Sequence, residues 1–274
     1  PTLMKENIMT ALENLIIFYN QLSVSDSKKT ILRRALPNIR RIDQLNLYDL
    51  AEICYTSPAT ISRLVKALGY KSYSVFQTKL SECVQRYDYD NRFSISRRKS
   101  TENEKDIVVE SMEFMVNEFK KNVDRKEIVR LADCMHEASA VAIFGYGIRF
   151  IESALQSDLI FSGIPADVIV GDNEQLEFAQ TMHATNLALI ICPDAVDSIS
   201  VLNKIMHFLQ NKGTKIAILS SSDQQPFLDL ADFLFQFEGY HSMSDSFYLQ
   251  MLLAVITIVY RGKFIDKDPT YCIT

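Results

Sequence analysis

Between residues 140 and 237 one pattern recurs five times: a short aliphatic run that stops at a turn signal, with helix-period sequence between most runs. Ala140–Phe144 ends in Gly145-Tyr146-Gly147, and helical periodicity resumes at Phe150. Ala166–Val170 ends in Gly171-Asp172, Leu187–Ile191 in Cys192-Pro193-Asp194, and Lys215–Leu219 in Ser220-Ser221-Ser222-Asp223; Phe233–Phe237 is the fifth run. Strands that alternate with helices of this length form a parallel sheet with helices on both faces. Ligands of such sheets bind beyond the carboxyl ends of the strands, which places a site among the loops 145–152, 171–178, 192–199 and 220–226.

At 274 residues, 47% hydrophobic and 23% charged, the chain has material for one large domain or two ordinary ones. That composition excludes a disordered tail, a collagen-like repeat and a disulfide miniprotein. The longest uncharged apolar run is Phe247 to Tyr260. At about 1.5 Å per residue it falls well short of a roughly 30 Å hydrocarbon layer, so it reads as a buried or interface helix rather than a membrane span. With no basic stretch followed by an apolar core and a small-residue cleavage site among the first residues given, export is not expected. The five cysteines, Cys54, Cys83, Cys134, Cys192 and Cys272, form no CxxC pair and predict reduced thiols in the cytoplasm. The four histidines show no metal-ligand spacing, and a GxGxxG turn would need a third glycine where Phe150 stands. Neither a metal nor another cofactor is therefore expected.

Charge divides the chain. Residues 1–100 carry 16 Lys and Arg against 9 Asp and Glu, a net +7, whereas the remainder carries 13 against 25, a net −12. A basic half of this kind suits a polyanion. Composition changes at the same place: residues 86–106, RYDYDNRFSISRRKSTENEKD, are poor in aliphatics and read as a linker between a unit at 1–85 and a unit at 107–274.

The basic half reads helical. Ile8, Leu12, Leu15, Ile16 and Tyr19 recur at helical spacing, and a second periodic stretch from Ser27 to Leu36 is expected to stop at Pro37. Leu47, Leu50, Ala51 and Cys54 share one face of a short helix, which Tyr55-Thr56 breaks. Ser57 then suits an N-cap, Pro58 the first helical position and Gly69 a C-terminal stop. Two short helices joined by a tight turn make a helix-turn-helix. Ile61, Leu64, Val65 and Leu68 form its apolar stripe, and the opposite face offers Ser57, Ala59, Thr60, Ser62, Arg63 and Lys66. Short hydroxyls at a helix N-terminus, with two cations farther along, suit entry into the major groove of double-stranded DNA.

The segment LYDLAEICYTSPATISRLVKALGYKSYSVFQTKL resembles the signature of RpiR/MurR-type bacterial transcriptional regulators, with Leu68, Gly69, Tyr70, Lys71, Ser72, Tyr73 and Phe76 at the pattern's positions. Lys71, Ser72 and Tyr73 can grip the phosphate backbone, while Tyr70 and Phe76 fill the core. The order and spacing of these elements along the second half of the chain are similar to the SIS (sugar isomerase) domain that these regulators carry as effector module. The resemblance implies an all-α helix-turn-helix bundle followed by an α/β SIS domain with a five-stranded parallel sheet. It also implies a homodimer or homotetramer, a palindromic operator, and a sugar or sugar-phosphate effector held by loop residues.

The effector residues so implied are Gly145, Gly147, Arg149, Cys192, Asp194, Asp197, Ser220, Ser221 and Ser222. Here the chain departs from the family pattern. Arg149 stands where Gly-x-Gly-x-Ser has its serine, and Cys192 to Asp197 replaces Ser-x-Ser-Gly-x-Thr. Two carboxylates in place of hydroxyls remove phosphate donors and add like charge, which favours a non-phosphorylated or amine-bearing ligand or a pocket kept for assembly alone. SIS domains also occur in sugar-phosphate isomerases, and Glu152, Glu174, Glu177 and His183 lie near the expected loops, but no spacing defines an acid–base pair. The expected function is a cytoplasmic transcriptional regulator, not an enzyme, with an SIS-type isomerase as the alternative.

Overall fold

The computed structural model describes residues 9–90, 103–145, 150–192, 199–221, 227–237 and 245–266, which fall into two compact units, one up to Asp90 and one from Asn103 onward.

The first unit is all helical. Helix α1 spans Met9–Gln21 and α2 spans Ser27–Ala35, capped by Asp26, whose carboxylate accepts from the Lys28 amide at 2.8 Å. Pro37 ends the α-helix but not the helical backbone, contrary to the sequence expectation. A 3₁₀ segment, Leu36–Gln44, takes Pro37 into its first turn, where a missing N–H costs no hydrogen bond. Helix α3 (Leu47–Ile53) opens with a capping box, in which Asn46 accepts from the Tyr48 and Asp49 amides and Asp49 accepts from the Asn46 amide. Helix α4 spans Pro58–Ala67, and α5 runs Tyr73–Asp90. Ile61, Leu64 and Val65 are buried against Leu50 and Ala51 of α3 and Phe76 and Leu80 of α5. Burying each of these aliphatic side chains contributes about 1.5–3 kcal/mol, which makes the stripe, rather than intrinsic helix propensity, the force that holds so short a helix.

Helix α5 continues to Asp90, and the next helix, α6, spans Glu104–Asn122. Both ends of the 86–106 stretch are thus helical, because nothing in it is a Gly or Pro that would stop a helix.

In the second unit α6 is followed by α7 (Arg125–Glu137), β1 (Ala140–Phe144), α8 (Phe150–Phe161), β2 (Ala166–Ile169) and α9 (Asp172–Thr181). Then come β3 (Asn186–Cys192), α10 (Ile199–Asn211), β4 (Lys215–Ser220), a 3₁₀ turn at Leu228–Leu230, β5 (Phe233–Gln236) and α11 (Asp245–Phe264). The five strands the sequence predicts are all present, each within a residue of its expected ends, and pair in parallel in the order β2-β1-β3-β4-β5. Alternation along the strands fills both layers. Val141, Ile143, Leu187, Leu189, Ala217 and Leu219 face α6, α7, α8 and α11, whereas Ala142, Phe144, Ala188, Ile190, Ile216 and Ile218 face α9 and α10.

Helix α11 has the length and composition to cross a membrane, yet Tyr248, Leu249, Leu252, Leu253, Ile256 and Tyr260 are buried in the sheet unit's own core. The Tyr248 ring stacks on Phe237 at 3.9 Å and meets the edge of Phe119 at 5.3 Å. Its buried side therefore belongs to the sandwich. The carboxylate of Asp158 on α8, 4% exposed, accepts from both Nε and Nη2 of Arg261, which locks α8 to α11.

Candidate nucleic-acid interface and effector edge

The N-terminus of α4 is organised by its own side chains. Ser57 Oγ accepts from the Thr60 amide at 3.2 Å and lies 2.9 Å from Thr60 Oγ1, and Arg63 Nη2 donates to Thr60 Oγ1 at 3.3 Å. Ser57, Ala59, Arg63 and Lys66 are exposed, and Thr60 and Ser62 are half-buried. Six of the nine predicted DNA-binding residues therefore share one accessible helix surface, with the apolar stripe on the other side. Lys71 and Ser72 are exposed beyond Gly69.

Tyr73 is a correction. It is 8% exposed and donates its hydroxyl to the Leu45 carbonyl at 2.6 Å, so it is a core residue that joins α5 to the 3₁₀ segment rather than a phosphate grip. Burial, reinforced by the Asp49 carboxylate and the Cys54 thiol, pushes its phenol up to about 12. The hydropathy pattern could not separate the two roles, because a tyrosine suits either a core or a wet surface.

Sequence reasoning placed the turn at Tyr55-Thr56 but not its backbone strain or its partner. Tyr55 has a φ of +53° and is 84% exposed. Arg34, exposed at the end of α2, donates to the Cys54 carbonyl at 3.0 Å and lies over the Tyr55 ring at 5.0 Å. Arg33, Arg40 and Arg41 are also exposed. The detectable signal was a tyrosine at a position where a turn commonly places glycine.

The second candidate region is the carboxyl edge of the sheet. Strand β1 lies between β2 and β3, so successive crossovers leave it in opposite directions and open a crevice between the ends of β1 and β3. Gly145 ends β1 and is buried, Cys192 ends β3 and is 2% exposed, and the register sets Cys192 beside Ser220 of β4, which is fully buried. Ser221 follows at 5% exposure, and its Oγ has no hydrogen-bond partner. Gly145, Cys192, Ser220 and Ser221 thus share one edge. Gly147, Arg149, Asp194, Asp197 and Ser222 lie outside the described residues.

A residue absent from the sequence expectation completes this edge. Gln175 on α9 is fully buried, and its Nε2 donates to Gly145 O at 3.0 Å and Ile169 O at 3.1 Å. Its Oε1 accepts nothing. A buried acceptor without a donor costs about 1–3 kcal/mol, so two such atoms on one edge require explanation. Gly171, at φ +104°, caps α9 without a side chain; a Cβ there would come within 2.5 Å of Glu174 Oε2. Because a glutamine in an amphipathic helix reads as a surface residue, no periodicity signal marked Gln175.

No protein-family model matches the sequence, and comparison with curated proteins gives no match either. Among solved structures, the NanR protein of Vibrio vulnificus, complexed with ManNAc-6P, is similar over 95% of this chain and 93% of its own, at 18% identity and a TM-score of 0.50. The sugar isomerase domain of an RpiR transcription factor from Sphaerobacter thermophilus is similar over 60% of this chain and 89% of its own, at 16% identity and a TM-score of 0.43. The similarity to NanR extends through both units. In fold, the second unit is a five-stranded parallel sheet between two helical layers, an arrangement it shares with NanR.

Within this sandwich the carboxylates and histidine considered for catalysis do not converge. Helix α9 starts at the carboxyl edge and ends at the amino edge, where the His183 amide bonds Asn186 Oδ1 at 2.7 Å and its carbonyl accepts from Thr214 at 3.0 Å. His183 therefore stands at the opposite edge of the sheet from Glu174, beyond about 10 Å of helix that ends at Thr181. This corrects the expectation that it lies near the ligand loops. Glu174 and Glu177 are exposed, and the side chain of Glu152 lies outside what is described. Among the described residues no three His, Cys, Asp or Glu side chains group as a metal site. The cavity of about 30 Å³ in the first unit is enclosed by Leu32, Ile61, Leu64, Phe76 and Leu80 among other apolar residues, which makes it a packing gap and not a polar ligand pocket.

Proposed function

We propose that this protein is a cytoplasmic, sequence-specific transcriptional regulator of the RpiR/MurR type. Helix α4 reads the major groove of a palindromic operator, and the SIS-type unit pairs two or four copies and binds a carbohydrate effector. The observation that carries the reading is the two-sided character of α4: Ile61, Leu64 and Val65 are buried, while Ser57, Ala59, Thr60, Ser62, Arg63 and Lys66 line the accessible side from its N-cap to its last turn. The net +7 of residues 1–100 supplies the attraction to phosphate.

The effector role is supported by the orphaned Gln175 Oε1 and Ser221 Oγ at the carboxyl edge. Both atoms can bond a polyhydroxylated ligand, Gln175 as an acceptor and Ser221 as donor or acceptor. The ManNAc-6P held by NanR makes phosphorylated amino sugars the first class to test, against free sugars and amino sugars. Pairing is supported by Ile160 and Phe161 on α8 and Ile258 on α11, 55%, 78% and 48% exposed and all within a turn of the Asp158–Arg261 pair.

The experiment is gel-shift binding to a palindromic duplex at moderate salt, with and without candidate sugars. Binding by a dimer, weakened or strengthened by one sugar class, supports the proposal; absence of binding to any duplex overturns it. The isomerase alternative predicts interconversion of aldose and ketose phosphates by the purified chain, and the position of His183 speaks against it.

A further inference from the structure

We propose that Tyr55 contacts the DNA backbone beside α4, held in a strained turn for that purpose and paired there with Arg34. The inference rests on the DNA-binding reading above and adds to it a contact outside the reading helix.

Helices α3 and α4 end in the same way. At the end of α4 the Gly69 amide bonds Lys66 O at 3.0 Å and the Tyr70 amide bonds Val65 O at 3.1 Å, with Gly69 left-handed at φ +89°. At the end of α3 the Tyr55 amide bonds Glu52 O at 3.0 Å and the Thr56 amide bonds Ala51 O at 2.9 Å, with Tyr55 left-handed at φ +53°. This closure needs one left-handed residue, and glycine takes that conformation without strain. The chain uses glycine in one turn and a bulky aromatic in the other.

Packing does not repay the strain. The Tyr55 side chain is 84% exposed, so little of its apolar surface is removed from water. Arg34 holds it instead: the guanidinium lies over the ring at 5.0 Å and anchors to the Cys54 carbonyl at 3.0 Å, across twenty residues of sequence. A phenol hydroxyl and a fixed guanidinium are thereby presented together, two residues before the Ser57 cap of α4. Two residues span at most about 7 Å, so a helix that enters the major groove by its N-terminus brings this pair to the groove wall, which is phosphate. The hydroxyl donates to a phosphate oxygen and Arg34 supplies charge, contacts that fix register rather than read sequence. Strained residues that stay exposed are the ones for which a functional role is the physical explanation.

The test uses the full-length chain and the duplex it enriches from a randomised pool. Tyr55→Gly raises Tm, because glycine suits the turn, and weakens binding about tenfold, the size of a hydrogen bond to a charged group. Tyr55→Phe leaves Tm unchanged and weakens binding comparably. Arg34→Ala lowers the slope of log affinity against log salt by about one, whereas the Tyr55 variants leave that slope alone, since a phenol is neutral. Undiminished affinity in both Tyr55 variants, on a probe the wild type binds, overturns this inference alone. A lower Tm for Tyr55→Gly overturns it as well, by showing that the ring is kept for stability. Failure of the wild type to enrich or bind any duplex removes the reading beneath it.

Discussion

Gln175 donates its side-chain amide to Gly145 O at 3.0 Å, joining the first turn of α9 to the end of β1 across thirty residues of sequence. The same nitrogen bonds Ile169 O at 3.1 Å, so one side chain fastens the carboxyl ends of two neighbouring strands at the edge where the switch in strand order opens a crevice. Gln175→Leu removes both bonds and leaves the buried Gly145 carbonyl without this donor. We expect a loss of about 1–3 kcal/mol, read by urea denaturation of the full chain. An unchanged midpoint would mean that another donor reaches Gly145 O.

Ser221 separates stability from binding. Its Oγ is buried without a partner, so Ser221→Ala costs nothing in the ligand-free protein and is expected to leave Tm unchanged or slightly higher. A ligand at about 100 times its Kd stabilises the native state by about 2.7 kcal/mol, and this increment shrinks in the variant if the hydroxyl meets the ligand. Thermal shifts with ManNAc-6P and with free sugars decide it. Equal shifts in wild type and variant remove Ser221 from the site.

Arg63 and Lys66 should differ in kind. Arg63 is steered by Thr60 toward the N-terminal half of α4, and Arg63→Ala is expected to cost about 1–3 kcal/mol on a matched duplex and to relax preference at one base position. Lys66, a turn farther along, is expected to weaken all duplexes alike and reduce the salt slope by about one. Competition against mismatched duplexes distinguishes the two.

Tyr73→Phe tests the reassignment of that residue to the core. The variant loses the 2.6 Å bond to Leu45 O, at a cost of about 1 kcal/mol, and binds DNA per folded molecule as the wild type does. The pH dependence has a definite sign. The folded phenol sits at about 12 against 10.0 for an unperturbed group, so its neutral form is favoured by the fold. That stability is complete below pH 10 and is lost as pH rises from there through about 12. Unfolding monitored across this alkaline range should show a shallower decline in Tyr73→Phe.

Phe161→Glu probes the exposed apolar patch on α8. Sedimentation is expected to show a shift toward monomer, with weaker binding to a palindrome and unchanged binding to a single half-site. A variant that sediments as the wild type does would place the pairing surface elsewhere.

The strands were legible because a parallel sheet covered on both faces requires uninterrupted aliphatic runs, and Leu187–Ile191 and Lys215–Leu219 have few other uses. The reading helix was legible for a local reason too: Ser57, Pro58 and Gly69 act within one or two residues of where they stand. Tyr73 and Gln175 were misjudged or missed because their partners lie 28 and 30 residues away, at Leu45 and Gly145. A polar side chain carries no sign in the sequence of whether a distant carbonyl waits for it.

By itself, then, the sequence determined the two-part plan, the strand set and the polar face of α4, all of which follow from short-range periodicity and capping. Tertiary structure alone decided the strand order, the burial of Tyr73, the strained exposure of Tyr55 beneath Arg34, and the transfer of His183 to the far edge of the sheet. The physical reason is that hydrophobic period and caps act along the chain. Hydrogen-bond satisfaction and exposure are settled only when remote segments meet.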